Sequence, residues 1–123
     1  MLNFSSVMLG SSEPKALADF YKKFLELIPE WSDGEWSAFK IGTGGMAIGP
    51  HSEVNGKNSE PGRIMLNLES DNVQEDFERI KAIGATVIAE PYDAGDENSG
   101  LMMMSTFADP DGNYFQICTK WEE

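Results

Sequence analysis

The sequence predicts an α+β domain built from two βαβββ modules, whose strands form a curved mixed sheet with the helices on its convex side. Three observations predict this fold. The segment Val7–Leu9 recurs as Ile64–Leu66, and Asp19–Phe20 recurs at the same offset as Asp76–Phe77. Each copy has an amphipathic helix. Short apolar segments separated by turn-forming residues follow each helix. We therefore expect one domain over residues 1–123, with module 1 at about 1–52 and module 2 at about 62–120.

Both predicted helices have start signals and an apolar stripe. Pro14 is typical of a first helical turn, because its missing N–H is not needed there. In the second module Asp71 is expected to cap the helix, with Gln74 at the capping-box position and Gly84 ending it. The residues at helical spacing are Leu17, Phe20, Tyr21 and Phe24 in the first helix, and Val73, Phe77 and Ile80 in the second.

The predicted strands alternate between two kinds of side chain. They cover Phe4–Gly10, Trp36–Ile41, Gly45–Gly49, Arg63–Glu69, Thr86–Glu90, Leu101–Ala108 and Asn113–Thr119. An additional strand ahead of Trp36 is needed to complete the first module. The residues expected to face the helices are Val7, Leu9, Met46, Ile48, Ile64, Leu66, Leu68, Phe115 and Ile117.

The alternate positions predict a ligand pocket in the concave cup of the sheet. Its expected lining is Ser6, Met8, Trp36, Gly49, His51, Met65, Asn67, Met102, Met104, Tyr114 and Gln116. Apolar walls with a few polar groups are typical of small-molecule sites. Methionine is flexible and polarizable, so it suits an irregular or aromatic ligand, although each methionine could equally fill a gap in the core.

Composition excludes several classes of partner. The net charge is −12, from 21 acidic and 9 basic residues, which disfavours nucleic acid and anionic membrane surfaces. No apolar run approaches the roughly 20 residues of a membrane helix. A single cysteine, Cys118, excludes an internal disulfide framework, and we expect a cytoplasmic protein. A semi-buried strand position is a better interpretation of Cys118 than a nucleophile.

Three segments, "ADFYKKFLEL", "NVQEDFERIKAIGATV" and "FADPDGNYFQI", together with the repeat, resemble the vicinal oxygen chelate superfamily. This group includes glyoxalase I, extradiol dioxygenases, fosfomycin-resistance enzymes and bleomycin-binding proteins. The resemblance covers nearly the whole chain. It implies the paired βαβββ fold, but it does not identify an activity, because one fold carries many functions.

The resemblance implies four metal-ligand positions, and this sequence does not fill them with ligands. They fall on Ser6, about Gly49, Met65 and Gln116, where metal-dependent members usually have histidine or glutamate. Catalytic transition metals need imidazole or carboxylate donors. We therefore expect no metal and no cofactor. Gln116 is interpreted either as an amide that orients a ligand or a neighbouring side chain, or as a purely structural amide.

His51 is the only histidine. Two residues beyond Gly49, it falls on the cup side at the end of a strand. It could act as a general base or contact a ligand. An exposed histidine at the end of a strand is the alternative, and we favour it.

Three functions are compatible with these residues. The first is metal-independent binding of a small apolar or aromatic molecule, as in the bleomycin-binding branch. The second is a lyase or dioxygenase relative with a nonstandard or absent metal site. The third is a regulatory or interaction module with a vestigial pocket. The resemblance also implies a homodimer, and we expect Phe4 or Trp121 in its interface, because large apolar groups near chain ends find little core in a monomer.

Overall fold

The computed structural model describes residues 1–95 and 101–120, and it contains two compact units, Met1–Lys57 and Asn58–Glu123. Each unit is a four-stranded mixed sheet with one helix. Within the described ranges, no helix has the length and apolar character needed to cross a membrane. The predicted α+β class and the βαβββ order of each module are confirmed.

Unit 1 runs β1 (Ser6–Gly10), α1 (Pro14–Leu25), β2 (Trp31–Asp33), β3 (Trp36–Ile41) and β4 (Gly44–Gly49). The order across its sheet is β1-β4-β3-β2. β1 is parallel to β4, while β4, β3 and β2 are antiparallel neighbours. Strand β2 is the additional strand that the first module was expected to need.

Unit 2 runs β5 (Leu66–Ser70), α2 (Val73–Ala82), β6 (Thr86–Asp93), β7 (Met103–Ala108) and β8 (Tyr114–Thr119). Its sheet order, β5-β8-β7-β6, repeats the order of unit 1. The first strand is again parallel to the last, and the other pairs are antiparallel. The internal repeat in the sequence is therefore a repeat of strand topology.

The core of unit 1 lies between α1 and strands β3 and β4. Pro14 is the first residue of α1, as predicted, and Leu17, Tyr21 and Phe24 are buried. Phe20 from the same predicted stripe is only half-buried, and its ring meets Tyr21 edge-on at 5.2 Å. The helix side of β4 adds two further buried side chains to this core, Met46 and Ile48.

The core of unit 2 centres on three phenylalanine rings in contact. Phe77 of α2 lies 5.6 Å from Phe107 of β7, and Phe107 stacks on Phe115 of β8 at 5.5 Å. All three are at most 3% exposed, so aromatic packing joins α2 to the middle of its sheet.

The predicted helix cap was wrong by one residue: Asn72, not Asp71, is the N-cap, and its side chain accepts a hydrogen bond from the Glu75 amide.

Several predicted boundaries were wrong at the starts of strands. β1 begins at Ser6 rather than Phe4, and β5 begins at Leu66 rather than Arg63. Ile64, expected to face a helix, precedes β5 and is 75% exposed. Met65 also precedes β5, and Met102 precedes β7, so neither lies within the strand that was predicted to contain it. An apolar residue just before a strand fits the hydrophobic alternation of that strand, even where no neighbouring strand pairs with the residue.

The turn between β7 and β8 is held by one buried carboxylate. Asp109 accepts hydrogen bonds from the backbone amides of Asp111 and Asn113 and from the Asn113 side chain. The Gly112 amide closes the turn onto the Asp109 carbonyl at 2.9 Å. This turn sets the register of β7 and β8, and therefore the position of Gln116.

Candidate functional site

In each unit the sheet has one face toward its helix and one face away from it, which we call the open face. The open face of unit 1 follows from the strand register, because side chains alternate along a strand. Met46 and Ile48 are buried on the helix side, so their alternates belong to the open face. The open-face residues are Ser6, Met8, Gly10, Trp31, Asp33, Trp36, Ala38, Lys40, Gly45, Ala47 and Gly49.

The Trp36 indole lies face down on Gly49. A Cβ at Gly49 would meet three consecutive ring atoms of Trp36, Cε3, Cδ2 and Cζ3, at 2.2, 2.4 and 2.5 Å. Nearly equal distances to three bonded atoms place that Cβ position beneath the ring face rather than beside its edge. Glycine is therefore required here for close approach. The opposite face of the indole is directed away from the sheet.

The neighbouring glycine is covered in the same way. Gly10 of β1 is the register partner of Gly49, and a Cβ there would meet Val54 Cγ2 at 3.0 Å and His51 Cβ at 3.1 Å. The turn after β4 therefore folds back over the end of β1. As a result, His51 lies beside Gly10, which is the register partner of the glycine covered by the Trp36 ring.

His51 is exposed, and one of its ring nitrogens has a defined partner. Its Nδ1 accepts a hydrogen bond from the Glu53 amide at 3.1 Å. This contact uses the lone pair of Nδ1 to close the turn after β4. The other ring nitrogen is Nε2. The geometry fits the interpretation of His51 as an exposed histidine at the end of a strand.

A row of apolar side chains crosses the open face of unit 1. Register pairs join Met8 to Ala47, Ala47 to Ala38, and Ala38 to Trp31. Met8 and Trp31 at the two ends are 45% and 54% exposed. The two alanines between them are small, so the row is low in the middle and raised at both ends. Strands lie about 4.8 Å apart, so the ends of the row are roughly 14 Å apart.

The open face of unit 2 centres on Gln116, which is 8% exposed. Its Nε2 donates a hydrogen bond to Thr106 Oγ1 at 2.9 Å, and the two residues are register partners on β8 and β7. Thr106 is also buried. This hydrogen bond fixes the orientation of the Gln116 amide within its own sheet and fits its interpretation as an amide that holds a neighbouring side chain.

The other predicted site residues of unit 2 are less closely grouped. Asn67 pairs with Gln116, and Met104 pairs with Cys118, so both share this open face. Tyr114 lies on the same face and lines a shallow pocket of about 490 Å³ with Glu60, Pro61, Gly62 and Arg63. Met65 is exposed just before β5, and Met102 receives a backbone hydrogen bond from the Ala94 amide.

The four positions implied as metal ligands do not fit a transition metal. Gly49 has no side-chain donor and is covered by Trp36, and Gln116 offers only a neutral amide oxygen. Ser6 offers a hydroxyl and Met65 a thioether, which are weak donors for such ions. Within residues 1–95 and 101–120, no group of three or more His, Cys, Asp or Glu side chains is arranged to hold a metal. That the protein binds no metal stays a prediction.

Cys118 is half-buried on β8, next to its register partner Glu69. Burial, and then the negative charge of Glu69, raises the pKa of the Cys118 thiol. A raised pKa keeps the sulfur protonated at neutral pH and lowers its nucleophilicity. The geometry therefore fits the structural interpretation of this cysteine.

On the open face of unit 1, sequence reasoning missed four residues that shape the surface: Gly10, Val54, Ala38 and Ala47. The signal for the two alanines was their place in the alternation, because each is separated by one residue from Trp36 or Gly49. Gly10 and Val54 had no such signal, since their contacts depend on how the turn after β4 folds back.

Comparison with known proteins supports the family. A family model described as a glyoxalase-like domain matches residues 6–118. Among solved structures, a glyoxalase-related enzyme from Fulvimarina pelagi is 18% identical with a TM-score of 0.77, and the match covers 98% of this chain and 89% of that chain. TioX from Micromonospora sp. ML1 is 16% identical with a TM-score of 0.72, covering 98% and 100%.

A Vibrio cholerae integron cassette protein is 19% identical with a TM-score of 0.73, and the match covers 98% of this chain and 97% of that chain. At such identities these structures share the fold and carry no further assignment. No curated protein sequence matches the chain significantly. The family match, the repeated βαβββ topology and the fold together show that the chain belongs to the glyoxalase-like domain family of the vicinal oxygen chelate superfamily.

Proposed function

We propose that this protein binds a small apolar or aromatic molecule without a metal, and that the open face of unit 1 provides the contact surface. The Trp36 indole lying face down on Gly49 is the observation that carries the proposal. A ring held in this way loses little conformational freedom when a planar ligand stacks on its outer face.

The rest of the open face suits an apolar ligand. Met8 and Trp31 are large, apolar and about half exposed, so a ligand between them would remove apolar surface from water. The alanines Ala38 and Ala47 leave room between the two larger side chains. Removing apolar surface from water is the main driving force for association of this kind.

The first prediction concerns Trp36. We expect the protein to bind 2-isopropylnaphthalene, and Trp36→Ala to weaken that binding at least tenfold, since the stacking surface is lost. Trp31→Ala should weaken it less than threefold, because the register partner of Trp31 is Ala38 rather than a glycine on which the ring could lie. Isothermal titration calorimetry measures both affinities, and circular dichroism checks that each variant is folded.

An equal effect of both variants would show that the Trp36 ring is not a specific stacking platform for the ligand.

Native mass spectrometry of protein purified from its own cells is an independent test of the proposal. We expect an organic molecule to be released on denaturation, without a stoichiometric transition metal. A transition metal bound one to one would favour the enzymatic alternative and contradict metal-independent binding.

We also propose that the chain forms a homodimer through its N-terminal segment. Phe4 precedes β1 and is 89% exposed, and Leu2 is 98% exposed, so neither packs against its own unit. Exposed apolar groups of this size are typical of interaction surfaces. Trp121, the other predicted interface residue, lies outside the described residues.

The second prediction tests this dimer. Sedimentation at micromolar concentration should show a particle of twice 13.6 kDa, and Phe4→Ala should shift it toward the single-chain mass. Ile28→Ala is the matched control, because Ile28 is also apolar and 89% exposed in the same unit. A wild-type particle at the single-chain mass would contradict the dimer, and equal effects of both variants would place the interface elsewhere.

A further inference from the structure

We propose that His51 is a hydrogen-bond donor that selects planar aromatic ligands with a neutral carbonyl oxygen at their edge. This inference rests on the proposed binding to the Trp36 platform, and it adds the chemical class of the ligand. Three features of unit 1 carry it: the position of His51 next to Trp36, the state of its ring nitrogens and the charge of the chain.

The position follows from the two paired glycines. Gly10 and Gly49 are opposite each other on β1 and β4, and parallel neighbours lie about 4.8 Å apart. The Trp36 ring covers Gly49, while the Cβ of His51 lies 3.1 Å from the Cβ position of Gly10. The base of the His51 side chain therefore lies beside Gly10, one strand spacing from the glycine that the indole covers. A ligand stacked on Trp36 would have its edge within reach of His51.

The hydrogen bond at Nδ1 determines what the other nitrogen can do. Nδ1 accepts from the Glu53 amide, so it carries no proton. In a neutral imidazole the proton is then on Nε2, which makes Nε2 a donor. A ring in this state has no free lone pair, so it cannot act as a general base. The group that His51 offers to a ligand is one N–H.

The charge of the chain limits which acceptor can pair with this donor. The net charge of −12 repels anions, and the open-face carboxylate of Asp33 is on the register partner of Trp36. Glu53 is joined to His51 by a hydrogen bond. Lys40 is on the same face, but it pairs with β4 at the other end of that strand. A carboxylate or phosphate on the ligand would therefore be disfavoured. A neutral carbonyl oxygen accepts a hydrogen bond without adding charge. The arrangement thus fits an aromatic ketone, aldehyde, amide or quinone.

The test uses two probes of nearly the same shape, 2-acetylnaphthalene and 2-isopropylnaphthalene, which differ in a carbonyl oxygen. We expect His51→Asn to reduce the affinity for the ketone relative to the hydrocarbon by roughly two- to tenfold, the effect of one net hydrogen bond. The shorter amide side chain of this variant would still accept from the Glu53 amide but would not reach the Nε2 position. His51→Gln, whose amide N–H reaches farther, should restore part of the preference.

Calorimetry measures the affinity ratio of the two probes in each variant, and urea unfolding checks that all three proteins are equally stable. If the affinity ratio is unchanged in His51→Asn, the proposed role of His51 is wrong. Binding of 2-isopropylnaphthalene in the same measurements would leave the Trp36 proposal intact. If the wild type binds neither probe up to millimolar concentration, both proposals fail.

Discussion

Replacing Phe107 by alanine is expected to lower the free energy of unfolding by about 3–5 kcal/mol, the range for deleting a fully buried phenylalanine ring. Phe107 is 0% exposed and is the middle of the three rings, between Phe77 and Phe115. Its loss removes both ring contacts and leaves a cavity between α2 and the sheet. Urea unfolding followed by circular dichroism measures the change.

Tyr92→Ala is the matched control, because Tyr92 is an aromatic residue of the same sheet that is 43% exposed. We expect it to change the free energy of unfolding by less than about 1 kcal/mol. Comparable losses in the two variants would mean that the three rings do not dominate the core of unit 2. The shape of the urea unfolding curve also shows whether the two units unfold together, since a biphasic curve would mean that they unfold separately.

Gly49→Ala is expected to destabilise the protein by about 1–3 kcal/mol and to weaken binding of 2-isopropylnaphthalene at least tenfold. The new methyl group would overlap the Trp36 ring, whose nearest atom is 2.2 Å from the Cβ position. Because the backbone of β4 is paired on both sides, the ring has to move. A tilted indole no longer offers its outer face to a planar ligand.

Two further variants test this explanation. Gly44→Ala lies on the same strand, and its nearest neighbour is the Ile41 carbonyl oxygen at 3.7 Å, so it should cost little. In the Trp36→Ala background, Gly49→Ala should cost almost nothing more, because the overlapping ring is absent. If Gly49→Ala is equally costly in both backgrounds, the overlap with Trp36 is not its cause.

The order of elements could be predicted from the sequence because local patterns determine it. Pro14 marked the start of α1, and the alternation of Phe115 and Ile117 with Tyr114 and Gln116 fixed the faces of β8. The starts of β1 and β5 could not be predicted. Strand ends depend on where a partner strand stops, and Ile64 has the right chemistry for a strand without such a partner.

The candidate site was predictable in part. Alternation predicted that Ser6, Met8 and Gly49 share one face, and in the strand register these three residues lie on the same face. Trp36 was expected only at or near its rim. Alternation could not show that Trp36 lies over Gly49, because that contact joins two strands. The pairing of Gln116 with Thr106 was hidden for the same reason, since it depends on the register of β7 and β8. Contacts between strands require a register that a single segment does not contain.

The shared strand order also determines how each unit can assemble during folding. The last three strands of each unit are antiparallel neighbours joined by local connections, whereas the first strand pairs only with the last, across the helix and two strands. Closing a long loop costs more entropy than closing a short turn. The three-stranded meander is therefore the natural nucleus, and β1 and β5 dock late. On this route the contact of Trp36 with Gly49 forms within the meander, before β1 docks. The docking of β1 then brings Gly10 against the turn at His51 and completes the open face.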